Sequence, residues 1–314
     1  MVKTCAVIVT YNRKEMLKEC IDSLLQQTLS LNGILIVNNN SSDGTREFLD
    51  NLSAENPIIF SIHLNKNIGG AGGFAVGMKK AYEKGYDWLW IMDDDAEPEQ
   101  DCLEKLIKEA EGQSEPIGFI APIIMHKSSK KIQVYHHKHL NKALTSESPI
   151  PMERILSDKS IEIDANAFVG PLISKEAVKN VGFPRGEFFI WLDDTEYTHR
   201  ITRKAKGILL TTAVIYHKDL SVNGDLVKSS WKKCYGFRNK LLWVNDSLTG
   251  FDKIYGIIGV IAEYSKELIK VTIQPIWSKN RKFVIKHLTK SIVEGLKGKS
   301  GIFIEPIQYI KSLK

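Results

Sequence analysis

The chain has 314 residues, 43% of them hydrophobic and 25% charged, a balance ordinary for a globular protein with a sizeable core. By length it holds one large domain plus an appendage, or two domains. Its four cysteines, Cys5, Cys20, Cys102 and Cys234, show no paired spacing, which argues against a zinc site and against a secreted disulfide framework and leaves buried, reduced thiols. The net charge of +6 is uneven: residues 218–314 carry 18 Lys/Arg against 8 Asp/Glu, or +10, and residues 1–217 carry 25 against 29, or −4. The opening MVKTCAVIVTYN reads as a strand running into a polar loop and not as a signal peptide. The longest apolar stretch, IYGIIGVIA at 254–262, falls far short of the ~20 residues of a membrane helix. The expectation is a cytoplasmic protein, free or peripheral on the inner face of the cell membrane.

In chain order, CAVIVT (5–10) is a continuous apolar run, as expected of a central strand covered on both faces. Met16, Leu17, Cys20, Ile21, Leu24 and Leu25 then recur at helical spacing. GILIV (33–37) and IIFSIHL (58–64) are further strands, 72–84 a helix, Tyr86–Met92 a fourth strand, and Leu103, Leu106, Ile107 and Ala110 mark the next helix. This is one half of a doubly wound α/β sheet, whose ligands bind at the carboxyl ends of the strands. The strands IGFIAPIIM and GILLTTAVIYH flank a polar, loop-rich stretch at 126–160, and a helix is expected over 193–205. After His217 three helices are expected, at 229–247, 253–273 and 279–297, with Ile254, Ile257, Ile258, Ile261, Ser265 and Leu268 on one face of the second.

Six constellations carry chemistry. TYNR (Thr10–Arg13) follows the first strand and serves either a ligand or a turn that caps the next helix. VNNNSSDGT (37–45) follows the second; its amides suit the edge of a nucleobase, while Asp43 or Ser42 suits a helix cap. NIGGAGGF (67–74) either lets a ligand approach the backbone or turns into a helix packed closely on the sheet, and its spacing is not that of a dinucleotide site. Asp93, Asp94 and Asp95 follow an apolar strand directly, and alternate carboxylates there can grip a divalent cation such as Mg²⁺ or Mn²⁺. FFIWLDDTEYTHR (188–200) sets two carboxylates among aromatics at a helix start, as caps or as a general base, with Arg200 near enough to orient one. His217 ends an apolar strand, where a neutral imidazole can complete a metal shell.

In this order these motifs resemble the family 2 glycosyltransferases, inverting enzymes of the GT-A fold, over roughly residues 3–217. NIGGAGGF with the W-x-DD-x-E-Y-x-x-R run and the later His is most like galactofuranosyltransferases, with rhamnosyltransferases next. The resemblance implies a Rossmann-like mixed sheet with helices on both faces, forming a GT-A domain at 1–217, followed by a basic helical region at 218–314. It implies that Thr10, Tyr11, Arg13, Asn38, Asn39 and Asp43 hold the nucleoside. Asn67, Gly69, Gly70, Gly72 and Gly73 would lie against the nucleotide-sugar, Asp94 facing the donor or solvent. Asp93, Asp95 and His217 would be the metal ligands, Asp194 the catalytic base, and Trp191 and Asp193 acceptor contacts. The implied cofactor is Mn²⁺ or Mg²⁺. The implied substrates are a UDP or dTDP sugar and a saccharide or lipid-linked acceptor used in polysaccharide assembly.

The C-terminal region interleaves Trp231, Tyr235, Phe237 and Trp243 with Lys232, Lys233, Arg238 and Lys240. Lys-rich amphipathic helices suit an anionic membrane surface, a solvated face or a homo-oligomer interface. Nucleic-acid binding fits this charge but not the acidic domain beside it. Two rival classes stand beside the transferase. A sugar-phosphate nucleotidyltransferase should carry a Gly-rich loop with Arg and Lys directly after strand one, and TYNRKE has no glycine. The other is a non-catalytic module that binds sugar nucleotide or membrane and assembles other enzymes.

Overall fold

A computed structural model of the protein describes residues 2–218 and 225–313. These form two compact units. The first takes in the described residues of Met1–His139, Ser148–Gly186 and Asp194–Asp219, the second those of Leu140–Glu147, Glu187–Asp193 and Leu220–Lys314. In chain order the elements are β1 (Thr4–Thr10), α1 (Lys14–Leu25), β2 (Gly33–Asn38), α2 (Thr45–Glu55), β3 (Ile59–His63), α3 (Gly69–Glu83), β4 (Trp88–Asp93), β5 (Ala96–Pro98) and α4 (Cys102–Gly112). There follow β6 (Ile117–His126), β7 (His137–Leu140), β8 (Glu147–Pro149), α5 (Met152–Ser157), β9 (Ser160–Glu162), β10 (Ala165–Asn166), β11 (Leu172–Ser174), α6 (Lys175–Val181), α7 (Asp193–Thr202) and β12 (Lys206–His217). The last four helices are α8 (Ser230–Ser247), α9 (Gly250–Ile273), α10 (Arg281–Leu296) and α11 (Pro306–Lys311).

The main sheet of the first unit runs β3-β2-β1-β4-β11-β6-β12-β5, with β9 beside β12. Strands β1 to β4 are mutually parallel, and β11 lies antiparallel to both β4 and β6, so the sheet is mixed. The unbroken apolar character of β1 follows from burial on both faces. Ala6 and Ile8 pack with Leu17 and Ile21 of α1, while Cys5, Val7 and Val9 pack with Phe74 and Met78 of α3. Each of the larger of these side chains, the Val, Leu, Ile, Phe and Met, contributes about 1.5–3 kcal/mol on leaving water. Helices therefore cover both faces, as the sequence pattern predicts.

Helix α3 starts at Gly69, three residues before the expected start, so the glycine run is its first turn and not a loop. The reason is steric. A Cβ at Gly73 would lie 2.6 Å from Val9 Cγ1, and one at Gly77 would lie 2.6 Å from Val7 Cγ1. Only glycine lets this helix settle so close to β1. The stretch 126–160 carries more structure than its polarity suggests, since β7, β8 and α5 fall within it.

In the second unit α8 packs against α9 and α10. Its core joins Trp231, Cys234 and Tyr235 of α8, Val271 of α9, Val284 and Leu288 of α10, and Phe189. Among the described residues no helix is long and apolar enough to cross a membrane.

Candidate active site

Strand register builds the first unit's site. Thr10 pairs with Asn38 across β1 and β2, Asn38 with His63 across β2 and β3, and Val9 with Asp93 across β1 and β4. The carboxyl ends of four parallel strands thus align, and Thr10 comes level with Asp94. The Thr10 hydroxyl donates to Asp94 Oδ2 at 2.7 Å, and Arg13 Nη1 donates to Asp94 Oδ1 at 3.2 Å and Asp95 Oδ2 at 2.9 Å. Asp94 is 3% exposed, so the alternative that it faces solvent is wrong: it is a buried acid held by two donors.

His217 reaches the triplet through a different pairing. The short strand β5, directly after Asp95, runs antiparallel to the end of β12 and sets His217 opposite Ala96. One ligand atom from each of Asp93, Asp95 and His217 then falls within 4.8 Å of the others. His217 Nε2 is 3.3 Å from Asp95 Oδ1, within ion-pair reach, and this buried oxygen accepts no hydrogen bond among the described residues. Burial, then the charges of Asp95 and Asp94, push the Asp93 carboxyl well up from its ordinary range. Burial pushes Asp94 up to about 6, against the pull of Arg13. Burial would also raise Asp95, but His217 and Arg13 outweigh it and hold that carboxyl low. Two hard carboxylates, one of them with an unsatisfied buried oxygen, and an imidazole nitrogen suit a divalent cation.

The loops beside the triplet are tied to one another. Asn12 Oδ1 accepts from Ser42 N, and Asn12 N donates to Ser41 Oγ. Asp43 takes Lys14 N on Oδ2 and Thr45 N on Oδ1, which joins the starts of α1 and α2. Asn38 and Asn39 are 1% and 2% exposed, and their amides face the chain. Asn38 Oδ1 accepts from Ser41 N and its Nδ2 meets His63 Nδ1; Asn39 Oδ1 accepts from Ile68 N and its Nδ2 donates to Gly69 O. Asn67 Oδ1 accepts from Gly69 N. At Gly72 a Cβ would meet Ile68 at 2.7 Å, whereas at Gly70 it would meet nothing within 4 Å, so Gly70 lies on the open side of this turn. Tyr11 is 37% exposed.

A sequence model described as glycosyl transferase family 2 matches residues 5–182, more than half of the chain. The chain belongs to glycosyltransferase family 2. It is 28% identical to galactofuranosyltransferase GlfT1 of Mycolicibacterium smegmatis over 217 residues, 68% of this chain and 70% of that one. Its fold is that of the solved GalNAc-T7 with UDP, GalNAc and Mn²⁺, at TM-score 0.65 and 17% identity over 95% of this chain and 56% of that one. It is likewise similar to S. aureus TarS 1-349 in complex with UDP, at TM-score 0.58 and 12% identity over 93% of this chain and 82% of that one.

In this family 2 glycosyltransferase α7 opens on the acid pair. Asp193 is its first residue and is buried. Asp194 Oδ1 accepts from Thr195 N at 2.6 Å and from the Thr195 hydroxyl at 3.1 Å, leaving Oδ2 with no hydrogen bond among the described residues. Lys138 Nζ donates to the same Thr195 hydroxyl at 3.0 Å, a support that nothing in HKHL announces. Arg200 does not orient either acid. It makes a two-pronged pair with Glu196, four residues back on the helix, and donates to the carbonyls of Val181 and Phe183. No described contact links Asp194 to the triplet.

Trp191 belongs to the second unit, where Phe189, Trp191 and Leu192 all have left-handed φ, +69°, +66° and +66°. Non-glycine residues hold that conformation only when their surroundings impose it. Here Asn239 Nδ2 donates to the carbonyls of Phe188, Ile190 and Trp191, and Arg238 donates to those of Glu187, Phe188 and Gly301. The Trp191 indole lies over Gly236, where a Cβ would approach its Cε3 to 2.8 Å, and borders a cavity of about 390 Å³ also lined by Phe237, Lys240 and Glu267. In the sequence Arg238 reads only as one cation among the aromatics of this region, and nothing there announces the carbonyls that it and Asn239 hold.

Proposed function

We propose that this glycosyltransferase is an inverting, metal-dependent enzyme that moves galactofuranose from UDP-galactofuranose to a hydroxyl of a saccharide or lipid-linked acceptor. The observation that carries the reading is the convergence of Asp93, Asp95 and His217 at the strand ends of a family 2 chain. The GlfT1 likeness favours galactofuranose; dTDP-rhamnose is the competing donor. A divalent cation held by Asp93, Asp95 and His217 would offset charge on the leaving diphosphate. Arg13 would hold Asp95 in place for it, Thr10 fixes Asp94 between the two acids, and Asn39 fixes the turn at Gly69 beside which the donor would lie. Asp194 Oδ2 takes the proton of the acceptor hydroxyl as its oxygen attacks the anomeric carbon opposite the diphosphate, so one displacement inverts the configuration. Trp191 and Asp193 would contact the acceptor.

Two measurements test this. Thermal shift with UDP-galactofuranose and dTDP-rhamnose, with and without Mn²⁺, is expected to show metal-dependent stabilisation by the UDP sugar. Asp194→Asn is expected to cut kcat about 100- to 10,000-fold with donor binding unchanged; transfer at the wild-type rate would refute the assignment.

The second unit supports a membrane-surface reading. Phe251, Ile254, Tyr255, Ile258, Ile269 and Ile273 recur at helical spacing on α9 and are 80%, 54%, 61%, 57%, 58% and 68% exposed. From Glu267 to Glu294 the chain has six cations, among them Lys270, Lys279, Lys282 and Lys286, and no acid between. An exposed apolar row on one helix together with a cation-rich stretch suits an anionic lipid surface. Co-sedimentation with phosphatidylglycerol vesicles, lost in Ile258→Asp/Ile269→Asp, would support this; a stable dimer that ignores vesicles would assign the row to a second copy instead.

A further inference from the structure

We propose that Gln133 is a positioning residue for the cation site, fixing which ring nitrogen of His217 faces the carboxylates. The inference rests on the cation reading above and adds a residue that no motif contains. Gln133 Oε1 lies 3.1 Å from His217 Nδ1, in a buried contact, and Gln133 is 6% exposed. On the other side of the ring Nε2 is the atom that comes within 3.3 Å of Asp95 Oδ1.

An amide oxygen can only accept, so the nitrogen facing it carries the proton. With the proton on Nδ1, the Nε2 lone pair points towards the acids and is available to a metal. The reverse tautomer would aim an N–H at the cation and repel it. Metal-bound histidines commonly donate their second ring N–H to a carbonyl or carboxylate in this way.

The backbone makes the placement secure. After β6 the chain reverses: His126 N donates to Lys131 O, and Gln133 N donates to Ile124 O at 2.8 Å. Since β6 pairs with β12 in register, His126 beside His217 and Ile124 beside Ile215, the returning residue Gln133 arrives next to the His217 ring. The His136 ring packs edge-on to His217 at 5.4 Å between centroids and limits its rotation. A neutral amide also supplies the acceptor without adding a fourth carboxylate to Asp93, Asp94 and Asp95.

The test uses the full chain. Long-range ¹H–¹⁵N correlation of the metal-free protein should show His217 protonated on Nδ1, and in Gln133→Leu that signature should be lost. Mn²⁺ titration followed by electron paramagnetic resonance, with UDP present, should show affinity about 10- to 100-fold weaker in Gln133→Leu. Gln133→Glu keeps the acceptor and should bind Mn²⁺ at least as tightly as wild type, which separates positioning from loss of fold. A wild-type ring protonated on Nε2 and not on Nδ1, equal Mn²⁺ affinity in Gln133→Leu, or a loss in Gln133→Glu equal to that in Gln133→Leu each overturns the inference while leaving the cation site standing. Failure of the wild type to bind Mn²⁺ overturns both.

Discussion

The acidic triplet of the first unit and the Arg238–Asn239 clamp of the second both bury charged or polar groups, yet they treat them in opposite ways. At the clamp, Arg238 is 0% exposed and donates to the carbonyls of Glu187, Phe188 and Gly301, and Asn239 donates to those of Phe188, Ile190 and Trp191. At the triplet three carboxylates crowd one strand end with Arg13 as a nearby cation and the His217 ring beside them, and a buried oxygen of Asp95 accepts no hydrogen bond among the described residues. A buried polar group left short of partners costs free energy, so a fold retains it only where something else gains by it. The clamp is charge used to hold a shape. On the proposed function, the triplet is charge held in reserve for a ligand.

This contrast can be broken by experiment. The largest effect is expected at the clamp: Arg238→Met should destabilise the second unit by about 3–5 kcal/mol, because it leaves several buried carbonyls without a donor. Denaturant unfolding measures this, and a loss below 1 kcal/mol would show that the clamp is not structural. An intermediate effect is expected at a second histidine of the first unit, His137. Burial lowers its pKa to about 4, although its hydrogen bond with Asn166 pulls the other way. Its neutral form belongs to the fold, so the unfolded chain takes up the proton first. Stability should therefore be full above pH ~6.5 and fall by about 3 kcal/mol as pH drops towards 4. His137→Gln should flatten that part of the pH–stability curve; an unchanged curve would assign it to other groups. The smallest effect has the opposite sign. Asp93→Asn relieves repulsion from Asp94 and Asp95, so the metal-free protein should gain about 1 kcal/mol, a rise in Tm of a few degrees. The same variant should lose Mn²⁺ binding. If it instead destabilises the metal-free protein, the triplet is structural and the comparison fails.

Much of this was legible in the sequence because burial leaves a periodic trace. The apolar run of β1, the helical spacing of α1 and α4, and the abrupt acids after β4 identify a doubly wound sheet and its ligand edge. What was not legible depends on partners distant in the chain. NNN reads as free amides, yet Asn39 is spent on Ile68 and Gly69. Arg200 reads as a partner for the acid pair, yet Glu196 sits one helical turn away and takes it. Gln133 and Lys138 stand in a polar stretch with no pattern, and strand pairing alone puts them beside His217 and Thr195.

The sequence by itself determined the family, the mixed α/β class and the residue types able to hold a cation, because each of these is written in local order and composition. Only the tertiary structure decided which of them meet. The register of β5 with β12 joins Asp95 to His217 across some 120 residues, and the return after β6 adds Gln133. Hydrogen-bond registry between strands is a long-range choice that no single segment encodes.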